Sequence, residues 1–279
     1  MGWLRAIWAS AWRRPRGRAA ALVLGAILLA ALVGPWMLPD PAAQPDILRG
    51  AAPPGPGHPF GTDQLSRDVL ARVVSGARVS LAVAGLAVLV SVTIGAAVGL
   101  VAGYAGGATD TVLMRLVDAA LAVPRLFILL LLLAVWERIP LAALILILGT
   151  TGWFGVSRLV RGEVLRLRHE AFVLGVEALG AGAPRVALRH LLPNTTGPLL
   201  VAATLGVGDV ILLEAGLSFL GLGIQPPTPS WGGMILDAKS VLVTAPWTSI
   251  FPGLAIVVTV LAVNVLGDAL SDALDPRAG

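Results

Sequence analysis

Residues 79–103 read VSLAVAGLAVLVSVTIGAAVGLVAG, twenty-five positions without a charged side chain. A helix of about 20 apolar residues crosses roughly 30 Å of hydrocarbon, so this stretch by itself predicts a membrane-spanning chain. Ala84, Gly85, Ala87, Gly95, Ala96, Ala97 and Gly99 recur along it. Small residues let helix backbones approach closely, which predicts a packed bundle rather than a lone anchor.

Five further windows have the same character: 19–38, 112–136, 139–156, 196–221 and 249–270. The expected fold is therefore all-α and polytopic, with six transmembrane helices. Composition agrees with this reading. The 279 residues are 57% hydrophobic and 13% charged, with mean hydropathy +0.87, whereas a soluble domain carries about a quarter charged residues. The chain has no Cys, which excludes disulfides, thiolate metal sites and thiol catalysis, and only three His. A pI near 10.8 would suggest nucleic acid in a polar chain. In so apolar a chain, basic residues instead mark the cytoplasmic side.

With the N-terminus inside, cytoplasmic segments hold thirteen basic residues, among them Arg5, Arg13, Arg14, Arg115, Arg158, Arg161 and Arg277, against six outside. Both termini are thus expected in the cytoplasm. The first apolar stretch is longer than a signal peptide's core and reads as an uncleaved anchor, despite the Arg13-Arg14 pair. Residues 1–60 form a tail, this first helix and an outer segment rich in proline (Pro39, Pro41, Pro45, Pro53, Pro54, Pro56, Pro59). Residues 77–270 hold the remaining five helices. Thr62 or Asp63 is expected to cap a short surface helix before the second span. A second outer segment, Ile224–Gly233, carries three prolines. Trp231 and Trp247 suit the aromatic belt at the membrane interface, and Met234–Val243 reads as a short interfacial helix or a lid.

Residues 159–195, between spans four and five, are the most informative. Their sequence predicts an amphipathic helix over about 161–179, ended by Gly180-Ala181-Gly182, then a second helix from Pro184 to about Leu191. Pro193-Asn194 closes the loop. An apolar stripe projecting into cytoplasm needs a cover: the protein's own base, lipid or a soluble partner.

Here the chain resembles the inner-membrane permease subunits of ABC importers, whose cytoplasmic loop has the form E-A-A-x3-G-x9-I-x-L-P. Gly180, Leu192 and Pro193 stand at the matching spacing, while Leu174-Gly175-Val176 replace E-A-A and His190 replaces Ile. HPFGTDQLSRDVLARVVSGARVSL (58–81), EAGLSFLGLGIQPPTPSWGGM (214–234), LGDALSDALDPR (266–277), HEAFV (169–173) and RHLLPN (189–194) are similar to the "C" permease of the dipeptide/oligopeptide/nickel branch.

The resemblance implies a type I ABC importer permease fold in a bacterial cytoplasmic (inner) membrane. It also implies a second permease subunit, two ATP-binding cassette ATPases that bind ATP and Mg, an extracytoplasmic solute-binding protein, and no cofactor in this chain. A coupling element is expected within about 170–183. Phe172, Val173 and Val176 would be its apolar contacts with the ATPase, and Glu170 and Glu177 its polar ones. Gly180, Pro184 and Pro193 would set its shape. The transported solute would be a di- or oligopeptide, or a related small solute such as a nickel complex.

No G-x4-G-K-[ST] phosphate loop, zinc motif or nucleophile elbow occurs, so the chain is not expected to be an enzyme, and no nucleic-acid partner is expected. A self-contained secondary transporter or channel is the alternative, although no internal repeat supports it. Charges in hydrocarbon are costly and face the bundle interior. Arg115 and Asp118, three apart, are expected to pair, and Arg125 to satisfy carbonyls freed at the Pro124 kink. Asp209 and Glu214 lie about 140° apart on a helix, so they should not share one narrow path. Interhelical pairing is the preferred reading of these charges. The functional alternative makes Asp118, Arg125, Asp209, Glu214 and Trp231 candidates for the pathway or its gate.

Overall fold

The computed structural model describes residues 15–44 and 50–274. Arg5, Arg13, Arg14, Pro45, Arg49 and Arg277 lie outside the described residues, as does the end of the 266–277 stretch. The described chain forms helices α1 (Pro15–Met37), α2 (Val69–Ala105), α3 (Gly107–Ala122), α4 (Arg125–Leu133), α5 (Leu141–Thr150) and α6 (Trp153–Leu167). It continues through α7 (Ala171–Ala178), α8 (Ala183–Val186), α9 (Leu192–Phe219), α10 (Trp231–Asp237) and α11 (Trp247–Leu274). Four stretches are long and apolar enough to cross a membrane: α1, α2, the run Ala183–Phe219 and α11. The pairs α3–α4 and α5–α6, bent by 80° and 41°, bring the number to six when each is taken as one span.

The bends follow from local chemistry. Pro124 lacks an N–H and forces the residue before it out of the helical region, and Val123 is extended at φ −96°, ψ 127°. The predicted third span is therefore two helices meeting nearly at a right angle. At Thr151-Gly152 the ladder breaks more gently. Thr151 Oγ1 donates to Ile147 O at 2.8 Å, and a Cβ on Gly152 would stand 2.4 Å from Ser91 Oγ.

Helix α2 is the central column. It starts ten residues before the predicted window, because Asp68 accepts from Ala71 N at 2.7 Å and caps the membrane helix directly. Gly95, Gly99 and Gly103 form one stripe against α6. A Cβ on Gly99 would lie 2.4 Å from Ser157 O, and one on Gly103 2.9 Å from Val164 Cβ. Only glycine permits this approach.

The surface helix expected after residue 61 does not form. Asp63 Oδ1 instead accepts from Leu65 N at 2.9 Å and Arg67 N at 3.0 Å, a turn in which an aspartate bonds the backbone just ahead of it. Asp63 Oδ2 accepts from Arg67 Nε at 2.6 Å and Arg72 Nη1 at 2.5 Å. Both guanidinium groups also reach Asp237 Oδ2 in α10, at 3.1 and 3.0 Å. Asp63, Arg67 and Arg72 are all buried. Two carboxylates and two guanidinium groups thus clamp residues 61–72 to α10.

The helix predicted at 234–243 begins earlier, at Trp231, capped by Ser230 Oγ accepting from Gly233 N at 3.1 Å. Trp231 is fully buried, with Nε1 donating to Val73 O at 3.0 Å. It is a core anchor, not part of an interfacial belt. A wholly buried indole needs a partner for its N–H, and the Val73 carbonyl supplies it. The ring borders an apolar cavity of about 410 Å³ between α1, α2 and α11.

Candidate functional site

The helix predicted over 161–179 is divided. Residues up to Leu167 continue α6, and after a turn in which Glu170 N donates to Leu167 O at 3.0 Å the short α7 begins. Its end is a full Schellman motif. Gly180 adopts φ +82°, its N–H donates to Glu177 O at 2.9 Å, and Ala181 N donates to Val176 O at 3.2 Å.

Helix α7 has two faces. Val173 is 0% exposed and packs with Val160, Val164, Leu167, Val186 and Leu191, while the half-buried Val176 joins the same cluster. Phe172 at 43%, Leu174 at 51% and Leu179 at 89% exposure point away from the chain. This corrects the expectation for Val173, which has no surface left for a partner, while Val176 is half-buried. Val173 and Val176, three apart and so on one side of α7, pack against this cluster from α6, α8 and the π turn that holds Leu191 and hold α7 to its own base. Leu174 and Leu179 are exposed instead. The alternation around the helix carried that signal, but the hydrophobicity of the stretch as a whole obscured it.

Glu177 accepts from Tyr104 Oη at 3.0 Å, so this carboxylate is tied to the end of α2. Glu170 is exposed and 3.8 Å from Arg166 Nη1. Pro184 stands in the first turn of α8. Pro193 does not close the loop as expected, because the helix runs on through a π turn at Ala187–Leu191. There Leu192 N donates to Ala187 O. Asn194 Nδ2 donates to His190 O at 2.6 Å, and a π bulge accommodates the prolyl ring and its missing N–H.

The charges on the bundle helices fall into separate settings. Asp118 pairs with Arg158 of α6 rather than with Arg115, and Arg161 forms a two-pronged pair with Asp110 at 2.5 and 2.6 Å. A partner on a facing helix fixes two elements at once, which a pair within one turn cannot do. Arg125 does reach freed carbonyls, but those of the break in α5–α6: Nη2 donates to Leu148 O at 2.6 Å and Nε to Thr151 Oγ1 at 3.4 Å. It lines a cavity of about 240 Å³ together with Asp209, Ser91, Val156, Leu159 and Gly206. Glu214 faces elsewhere, as its angular offset required. It is buried at α2 and α10, accepting from Ser218 Oγ at 2.7 Å and Ser80 Oγ at 3.4 Å.

The clamp of Asp63, Arg67, Arg72 and Asp237 was missed as a site by sequence reading. The spacing of Asp63 and Arg67 hints at a local pair, but nothing in it announces a fourth member 165 residues beyond Arg72.

Comparison with known proteins agrees with this architecture. Residues 95–279 match the family described as binding-protein-dependent transport system inner membrane component. The dipeptide transport system permease protein DppC of Bacillus subtilis is 40% identical over 272 residues, covering 96% of this chain and 85% of the relative. The oligopeptide transport system permease protein OppC of the same organism is 38% identical, covering 97% and 90%. A putative peptide permease of Brucella suis is 42% identical over 92% of this chain and 85% of its own. With a bundle of this form, a short projecting helix and similarity running nearly end to end, the chain belongs to the family of binding-protein-dependent transport system inner membrane components.

Proposed function

We propose that this chain forms half of the translocation pathway of an ATP-driven importer of small peptides, with α7 as its coupling helix. The end of the bundle bearing α7 then faces the cytoplasm, and residues 50–68 with α10 face outward. A second permease completes the pathway, two separate ATPase subunits bind ATP and Mg, and an extracytoplasmic binding protein delivers the solute.

The observation that carries this reading is the outer face of α7. An eight-residue helix is too short to persist in water by its own propensity, yet Val173, the Schellman cap and the Tyr104–Glu177 bond hold it on a rigid base. Phe172, Leu174 and Leu179 are left for a partner. A lever of this kind transmits a rigid-body displacement to α6 and α8, which continue into the membrane. The peptide assignment is supported by the names of the relatives, two of which are dipeptide and oligopeptide permeases.

Expression with its neighbouring genes tests the proposal. Two ATPases and a second permease should copurify, and proteoliposomes should accumulate dialanine only when ATP and the binding protein are present. Dialanine uptake by this chain alone, without an ATPase, would overturn it.

A further inference from the structure

We infer that the cavity bounded by Arg125 and Asp209 is a station for the charged ends of a zwitterionic peptide on its way through the membrane. The inference rests on the peptide reading above and adds where, and by which groups, this permease meets its cargo.

Arg125 and Asp209 line one cavity of about 240 Å³ and attract each other across it without a salt bridge closing the gap among the described residues. The guanidinium is fixed by Leu148 O and Thr151 Oγ1. Gly152 leaves room for it, since a Cβ there would stand 2.9 Å from Nη2. The Asp209 carboxylate is exposed in the isolated chain and feels the charge of Arg125 across the space. Opposite charges at membrane depth normally pair or serve an ion or substrate. These two stand on the walls of one space, so a ligand that meets both carries an anion at one end and a cation at the other.

The rest of the wall makes no demand on the ligand's middle. Val88, Val92, Val156, Ala202 and Gly206 offer no polar side chain, and the lining's one hydroxyl, Ser91, is spent on Gly149 O at 2.8 Å. A free peptide fits this chemistry: its carboxylate accepts from Arg125, its ammonium meets Asp209, and its side chains face an apolar, indifferent surface. The cavity is smaller than the roughly 300–1,000 Å³ of sites that hold ligands tightly. It suits passage of a short peptide rather than storage.

The test uses the whole importer with its binding protein in proteoliposomes, and labelled dialanine as the probe. Asp209→Asn removes the charge at constant size, and Asp209→Glu keeps it. Uptake is expressed per complex that retains its ATPases, so a variant that assembles poorly is still measured. The expected result is an approximately tenfold lower maximal rate for D209N, with D209E retaining most of the wild-type rate. Half-saturation by liganded binding protein should stay unchanged, because cargo is handed over after docking. A D209N complex that carries dialanine at the wild-type maximal rate overturns the station. A wild-type complex that carries no dialanine would overturn the peptide reading itself.

Discussion

Tyr104, the penultimate residue of α2, donates its hydroxyl to Glu177 on α7 at 3.0 Å. The bond joins the central column of the bundle to the projecting helix, 73 residues further along the chain. Gly106, with φ +64° and an N–H donating to Ala102 O, ends α2 just beyond it and fixes where the phenol emerges. Tyr104→Phe keeps the ring and deletes the bond. A net loss of about 1 kcal/mol is expected for such a bond, too little to unfold the protein. Peptide taken up per ATP hydrolysed by the assembled importer should fall, and equal ratios for Y104F and wild type would show the bond is not part of the coupling.

The two faces of α7 should respond differently to the same chemistry. Phe172→Asp puts a charge on an exposed position and leaves the fold intact, while ATPase subunits recovered with the permease should drop severalfold. Val173→Asp buries a charge in the cluster of Val160, Val164 and Leu191, at a cost of several kcal/mol. The expected result is a permease that unfolds at markedly lower temperature in detergent before any partner is added. Equal melting temperatures for V173D and F172D would reverse the assignment of faces.

At the opposite end, Asp63 serves two buried guanidinium groups. Removing one partner from a buried ionic cluster leaves uncompensated charge and costs about 3–5 kcal/mol. Asp63→Ala should therefore destabilise strongly. Asp237, a quarter exposed, should tolerate alanine better, since water reaches the Arg groups on that side. Thermal unfolding of the two variants decides the order, and a milder effect at residue 63 than at 237 would contradict the clamp.

Membrane spans were legible because burial in lipid writes itself as length and apolarity: four of the six predicted windows fall on single long helices, and the other two on the bent pairs α3–α4 and α5–α6. Boundaries were less so. Asp68 was not read as the cap of α2, because the apolar window starts beyond it, past Arg72 and Arg78, whose charges a hydropathy reading excludes. Pro193 was read as a stop, although a π turn and the Asn194 side chain carry the helix past it. Partners across the bundle were not legible at all. Asp118 with Arg158, Asp63 with Asp237's two arginines, and Arg125 with Leu148 O all depend on which helices become neighbours, which no local spacing encodes.

The neighbour relation that can be read most directly is the glycine stripe, and it yields a test with an internal control. A Cβ on Gly99 would stand 2.4 Å from Ser157 O and 2.8 Å from Val160 Cβ, both on α6. Backbone cannot yield as a flexible side chain does, so Gly99→Ala must push the two helices apart, and overpacking of this kind costs about 1–3 kcal/mol. Gly85 lies on the same helix with nothing within 4 Å of its added Cβ. There alanine removes glycine's entropic penalty in a helix, a gain of up to about 1 kcal/mol. The two substitutions are chemically identical and fourteen residues apart on one helix, so propensity alone predicts equal stabilisation. Opposite shifts in melting temperature, down for residue 99 and up or flat for residue 85, are what close α2–α6 packing requires. A rise for both would mean that the stripe does not set the separation of these helices.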